Sequence, residues 1–441
     1  MKQSTLPARI ERSVTCSIAI TLLMLSLSLN AQTTGAFPDT LTQEQAVTLA
    51  LTYHPSLRGA QASSRSASAG VTQAQSNYFP ALNLSAGGTR TDGAFVFNPA
   101  TPIRNQSYNN YTTALSLQQT LYDFGKTSER VSASEQLYDA SVLDFQSARE
   151  NVIANVQLAY IGFVQAKRLA KVSEETVTQM EEHLKQAKAF YSVGKRPRFD
   201  VTTAEVNLAN ANVARIRARN QMRVAKIQLE NAIGIYATTP YDVRDTFDTL
   251  AFTMSLDSVK ITAIEFRSEL RSAQARYAST RSLASAAWRQ HLPTISLSGA
   301  WTWSSFDFPL QSRWVAGATL TVPLFQGFGI SSQVEQAEAT ADVAQASLDV
   351  LAESVVLEAE QNYLSLKEAE ERIGASTKFV AQAKENLTLA EGRYNSGVGS
   401  PIEITDAQIN LSNAQITYIQ SLSDYNSSLI RLRRAMGVIG R

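Results

Sequence analysis

The chain contains one long stretch twice. Sliding residues 121–234 by 203 positions places Leu121 on Leu324, Tyr160 on Tyr363, Tyr191 on Tyr394, Gly194 on Gly397, Asn207 on Asn410 and Gly234 on Gly437, without a gap. Any fold must therefore accommodate two copies of one unit. Each copy is helical in pattern for about 65 residues, breaks at a glycine-centred turn, and is helical again for about 35. At 1.5 Å per residue the first arm is roughly 100 Å long, more than the diameter of an ordinary domain.

After the turn, Ala204, Ala211, Ala218, Ala225 and Ala232 recur every seven residues, and the second copy places Ala407, Ala414, Ser421, Ser428 and Ala435 in the same column. Ile404, Leu411, Tyr418, Tyr425 and Leu432 run beside it at the same interval. A sustained seven-residue repeat packs helices along their whole length, and a column of small residues lets backbones approach closely. Taken alone, this pattern also suits a soluble bundle with alanine-rich contacts.

At the start, Lys2, Arg9 and Arg12 precede the apolar run 14–29, which ends at Leu29-Asn30-Ala31 before Gln32. This predicts a signal peptide over 1–31, cleaved after Ala31, rather than a retained anchor, for which the run is short and broken by Ser and Thr. Cys16, the only cysteine, lies inside that run and not after it. The exported chain would then be held by packing alone. Removing the leader leaves the charges nearly balanced, which gives no electrostatic reason to expect a nucleic-acid partner.

The exported part falls into a first repeat (32–234), an inter-repeat segment (235–257) and a second repeat (258–441), with no separate C-terminal domain expected. In the first repeat the pattern predicts a helix over 42–77, with Thr42 and Gln45 as a capping box and Pro55 bending or restarting it. A β-hairpin over 80–121, a long helix over 127–193 and a helix over 200–234 follow. The second repeat predicts a helix over 258–290, a hairpin over 293–324, a long helix over 330–394 and a helix over 401–437. Its first helix is related to that of the first repeat by a shift of 213, which carries Leu57-Arg58 onto Leu270-Arg271. The ten-residue difference between the shifts is expected in the loop of the first hairpin.

Within the hairpins, Leu82, Leu84 and Ala86 alternate outward and Tyr111, Thr113, Leu115 and Leu117 return; Ile295, Leu297, Gly299, Trp301 and Trp303 pair likewise with Ala316, Ala318, Leu320 and Val322. Strands of about ten residues cross a bilayer when tilted. Phe95, Phe97, Tyr108 and Tyr111, then Trp301, Trp303, Phe306, Phe308 and Trp314, gather where an interfacial girdle would sit, although a soluble aromatic hairpin has the same pattern. Four strands cannot close a barrel, and open edges are intolerable in lipid, so several chains must share one. The helix lengths agree: the two short helices of a repeat stacked end to end match its long one, so each chain offers four rods.

The turns are distinct. Gly397 suits a left-handed helix stop, and Ser400-Pro401-Ile402-Glu403 reads as an N-cap, a first-turn proline and a capping-box glutamate. After Gly194 come Lys195, Arg196, Pro197 and Arg198, cations with no counterpart beside Gly397, which are expected to dock a partner. No catalytic residue, cofactor or metal site is expected. His54, His183 and His291 lack ligand spacing, no phosphate loop or nucleophile elbow is present, and Asp242, Asp245 and Asp248 lack the ordered loop of a cation site.

With "LYDFGKTSERV" and "LFQGFGISSQV" at the strand-to-helix joins and "FYSVGKRPRFDVTTAEVNLANA" and "RYNSGVGSPIEITDAQINLSNA" at the turns, the chain resembles the outer membrane efflux proteins, the TolC-like channels. The resemblance implies a mixed fold, an α-helical barrel joined to a transmembrane β-barrel. It implies a homotrimer with a twelve-stranded barrel in the outer membrane of a Gram-negative bacterium over a twelve-helix periplasmic tunnel. It further implies a passive exit duct for efflux or type I secretion, working with a periplasmic adaptor and an inner-membrane pump of the RND, MFS or ABC type. Tyr191, Gly194, Lys195, Arg196 and Arg198, with Tyr394, Gly397, Ser400 and Pro401, would form the two tips that meet the adaptor. Glu391 matches one member of the acidic ring found at the entrance of relatives. Thr388 replaces another, and Glu385 stands near enough to substitute. The alternative is a periplasmic coiled-coil or adaptor protein without a pore, against which the doubled pattern argues.

Overall fold

The computed structural model describes residues 38–95, 104–235, 240–245, 247 and 252–440. The expected leader, Phe97 and Asp248 lie outside them. In chain order the elements are β1 (Thr40–Leu41), α1 (Gln43–Tyr53), α2 (Pro55–Gln75), β2 (Ala81–Phe95), β3 (Arg104–Tyr122), α3 (Lys126–Ser192), α4 (Arg198–Ile233) and β4 (Asp242–Val243). The second set is α5 (Leu256–Phe266), α6 (Ser268–Trp288), β5 (Thr294–Ser305), β6 (Gln311–Thr321), α7 (Gly329–Asn395) and α8 (Pro401–Ala435). Helices α3 and α7 each hold 67 residues, about 100 Å.

The helix over 42–77 restarts at Pro55, one of the two outcomes expected there, and the helix over 258–290, expected as a single piece, is also broken once. Thr42 and Gln45 form the reciprocal capping box of α1, which ends at His54 in extended conformation, and Pro55 opens α2. Arg267 breaks 258–290 with nearly the same dihedrals, φ −65° and ψ 113° against φ −62° and ψ 125° at His54. The two positions are related by the shift of 213, so the second repeat has the same break with Ser268 in place of the proline. Its cause is tertiary. The buried Arg267 guanidinium bonds Glu269, Glu358 and the Ala435 carbonyl at the end of α8, which fixes the chain direction where no local signal would.

Each break receives the end of the returning helix. A side chain at Gly234 (φ +79°) would meet Pro55 Cδ at 3.1 Å, and one at Gly437 (φ +68°) would meet the Phe266 carbonyl oxygen at 2.5 Å. Glycine serves both the left-handed stop and the close approach. The short helices therefore stack end to end along their long partner. Around this level lie two apolar cores, one of Tyr160, Phe163, Leu229 and Ile233 with their neighbours, the other of Val355, Leu366, Tyr425 and Leu432. Tyr160 ties the belt of the first repeat: its hydroxyl donates to the Leu41 and Arg244 carbonyls at 3.1 and 2.8 Å, beside the parallel pair β1–β4, and burial pushes it up to about 12. Asp242 and Asp245 are occupied by Lys167 and Arg168.

The hairpins form one antiparallel sheet in the order β2-β3-β5-β6. The strands are 15, 19, 12 and 11 residues, so the extra length of the first hairpin lies mainly in its strands and not, as the sequence suggested, in its loop. Register aligns Leu84 with Leu115, Leu115 with Trp301 and Trp301 with Trp314 on one face. The neighbouring row, Asn83, Ser116, Ala300 and Val315, mixes polar and apolar residues at this level; Gln118, Ser298 and Ser296 continue that face. Leu82, Leu84, Trp314 and Leu320 are 62–73% exposed. No helix among the described residues is long and apolar enough to cross a membrane.

Below the breaks the helices pack side by side in the order α4-α3-α8-α7, and above them in the order α2-α3-α6-α7. One flank of the four-rod layer is thus α2 stacked on α4, the other is α7 along its entire length.

Candidate functional site

At the end away from the sheet, α3 turns into α4 and α7 into α8, and the two turns meet. Gly194 (φ +71°) and Gly397 (φ +86°) make the left-handed stops. Ser400 caps α8 by accepting from the Ile402 amide at 3.3 Å, with Pro401 in the first turn. Tyr191, Lys195 and Arg198 are exposed, as are Val193, Phe199 and Val398 around them. Arg196 differs from its neighbours: it donates to the Gly399 carbonyl at 2.7 Å and its guanidinium lies 5.0 Å from the centroid of the Tyr394 ring. Of the three cations expected to dock a partner, one is spent inside the chain.

Tyr394 is the centre of the joint, 1% exposed against 47% for its repeat partner Tyr191. Its ring meets Phe190 and His183, each at 5.6 Å between centroids. Asp200, in the first turn of α4, is buried beside them, and Gln408 comes from α8. Burial pushes the Tyr394 hydroxyl up, with the Asp200 charge adding to it, and holds the His183 imidazole below its ordinary value, Asp200 opposing only in part. A short amide contact from Gln186 to Asn395, the bond from Asn207 to Thr405 at 3.2 Å, and the Arg393–Glu403 pair at 3.0 Å complete the joint. That last hydrogen bond holds the exposed Glu403 carboxyl below its ordinary value.

Glu391 lines a groove of about 490 Å³ between α3, α7 and α8, together with His183, Gln186 and Gln408. Glu385 is exposed on α7, six residues earlier and about 120° around the helix from Glu391. The two carboxylates therefore leave α7 in different directions. His183, Asp200 and Gln408 were not singled out by sequence reasoning as parts of this site. The one signal available was repeat asymmetry, since the equivalent of His183 in the second copy is Asn386. Among the described residues no cluster of His, Cys, Asp and Glu could hold a metal.

A duplicated layer of long helices lies under an apolar-faced sheet and ends in paired tips. The chain belongs to the outer membrane efflux protein family, whose profile matches residues 46–235 and 262–438. It is accordingly an outer membrane efflux channel protein rather than an enzyme or a pore-free coiled coil. Among its relatives, Protein CyaE of Bordetella pertussis is 25% identical over 418 residues, 91% of this chain and 85% of the relative. Outer membrane protein TolC of Escherichia coli is 22% identical over 404 residues, 88% and 80% of the two chains. Of solved structures, the Campylobacter jejuni CmeC outer membrane channel has the same fold, with a TM-score of 0.81 at 20% identity over 93% of this chain and 90% of its own.

Proposed function

We propose that three copies close into a passive duct that spans the outer membrane and continues through the periplasm, carrying what an inner-membrane pump delivers. The observation that carries this reading is that both flanks of the single chain are unfinished. Strands β2 and β6 leave open edges on an apolar-faced sheet, which lipid does not tolerate. Beneath them Val206 and Val213, with Ile227 two steps on past Asn220, form an exposed stripe at seven-residue spacing on α4, and Val343, Val350, Leu357 and Leu364 form another on α7. A head-to-tail ring sets α7 of one copy against stacked α2 and α4 of the next, satisfying edges and stripes together. Three copies supply twelve strands, enough for a barrel with a lumen.

The tips are the surface for a periplasmic adaptor, with Lys195, Arg198 and the apolar residues Val193, Phe199 and Val398 outermost; Glu391 and Glu385 are the candidates for an acidic entrance. The pump is of the RND, MFS or ABC type, its cargo a drug, a metal ion or a protein, and the leader leaves after Ala31. Transport energy comes from the pump, and the duct supplies a wall and a gate. The test is fractionation followed by reconstitution. The duct requires recovery in the outer membrane, detergent extraction as a trimer and ion conductance in planar bilayers. Recovery as a soluble periplasmic monomer would end the proposal.

A further inference from the structure

The joint between the tips encloses polar atoms that it does not satisfy. Among the described residues, His183 Nδ1, Asp200 Oδ2, the Tyr394 hydroxyl and Gln408 Oε1 are each buried without a hydrogen-bond partner. Native interiors leave few such atoms, and a cluster of them marks a place held together against a cost. All four belong to one joint: His183 on α3 packs edge-on against Tyr394 of α7, with Asp200 from α4 and Gln408 from α8 around them. His183 and Gln408 are 5% and 4% exposed and line the same groove.

The charges around His183 can be assigned helix by helix. Its own helix contributes Glu182 and Lys185 at the rim of the groove, α7 contributes Tyr394 and Glu391, α4 contributes Asp200, and, among the described residues that line the groove, α8 contributes the uncharged Ile404 and Gln408. Arg196 already sets a guanidinium on the Tyr394 ring. A neutral imidazole fits this enclosure. An imidazolium needs acceptors at both nitrogens, forms no hydrogen bond to Asp200 in the present geometry, and would share Tyr394 with a second cation.

We propose that His183 is an acid-sensitive latch: neutral, it packs under Tyr394 and keeps the two tips joined; protonated, it drives α3 and α7 apart until the ring reaches water. The proton binds more readily to the parted state, so acidification shifts the population toward it. Because burial lowers the His183 value in the joined state, that state is fully favoured above the ordinary imidazole value of 6.5 and loses ground as pH falls through it. This regulation rests on the duct reading, but its own readout does not need a current.

The experiment places spin labels at Ser192→Cys and Val398→Cys in the full-length protein in detergent and measures the distance between the tips from about pH 8 to about pH 5. The distance should lengthen on acidification in the otherwise unchanged protein and stay short throughout in His183→Gln. Asp200→Asn removes the anion that favours the proton, so its transition should move to lower pH; Glu335→Gln, exposed near the far end of α7, should leave the transition in place. A tip distance that does not respond to pH, or a response that survives in His183→Gln, overturns the latch. Planar-bilayer current recorded in parallel should rise with acid in step with the distance. A complete lack of current at every pH would strike at the duct instead, leaving the distances to decide the latch.

Discussion

Arg196 and Gly399 occupy the same place in the two copies of the repeat, and the guanidinium of one donates to the carbonyl of the other at 2.7 Å. Duplication has thus turned one turn position into the two halves of a bond. Arg196→Ala removes a hydrogen bond from a charged donor, about 1.5–3 kcal/mol for such groups, and uncovers the Tyr394 ring. The partial exposure of Arg196 places the effect at the lower end. Amide exchange should accelerate in residues 190–200 and 394–400 and stay unchanged around Tyr160.

Lys195 and Arg198 should behave differently. Both are exposed, and neither makes an ion pair among the described residues. Reversing both charges, Lys195→Glu with Arg198→Glu, should reduce crosslinking to the adaptor severalfold while leaving tip exchange rates and trimer recovery as they were. Crosslinking that persists in the double variant would remove these cations from the docking surface.

Arg267 holds the helix break of the second repeat from a site only 4% exposed. Arg267→Met should lower stability by about 1.5–3 kcal/mol, because it removes the charged hydrogen bonds to Glu269, Glu358 and the Ala435 carbonyl, while Arg434 still pairs both partly exposed carboxylates. The same network predicts an acid limit. Burial pushes the Glu269 carboxyl up, but Arg267 and Arg434 outweigh it and hold it below its ordinary 4.5. Its contribution is complete above pH 4.5 and lost as pH falls through the lower folded value. Circular-dichroism melting from neutral to acid pH should show that loss in the parent and a smaller one in Arg267→Met.

The break at Arg267 also shows what could be read in advance. Pro55 announced the equivalent break at His54, and carrying it across the shift of 213 would have found the second, although Ser268 offers no such signal. The turns and the Ser400 cap were legible because Gly194, Gly397 and Ser400 act on their own neighbours; Glu403, expected to complete a capping box, is instead taken by Arg393 from the preceding helix. The joint at Tyr394 was not. Tyr191 and Tyr394 are the same residue in the same motif, and only the meeting of four helices buries one and exposes the other. The apolar stripes were equally visible at seven-residue spacing, but periodicity does not say which stripe a chain covers by itself.

The small-residue column is not uniform, and its variation predicts where bulk is tolerated. Ala414 is fully buried between α8 and its neighbours, whereas Ala218 on α4 is half-buried. Ala414→Leu should cost about 1–3 kcal/mol by forcing the rods apart. Ala218→Leu should cost less, since its side chain can lean toward the open groove bounded by Arg217 and Gln221. Thermal melting of the two variants side by side ranks them, and an equal loss would mean that the column is closed on all sides in the assembly.

The exposed stripes carry the sharpest expectation. Val350 and Leu357 on α7 are 67% and 56% exposed in the single chain, and Ile227 on α4 is 58% exposed. If sister copies cover them, each stripe residue adds about 1.5–3 kcal/mol to assembly when buried, and an aspartate there would also bury an unpaired charge. Val350→Asp with Leu357→Asp should convert the detergent-extracted trimer to monomers, and Ile227→Asp should weaken it from the opposite flank. Val193→Asp, equally apolar and 65% exposed but at the tip, should leave the trimer intact. Sedimentation in detergent distinguishes these cases, and a trimer that survives the double α7 variant would mean that this flank faces something other than a second copy.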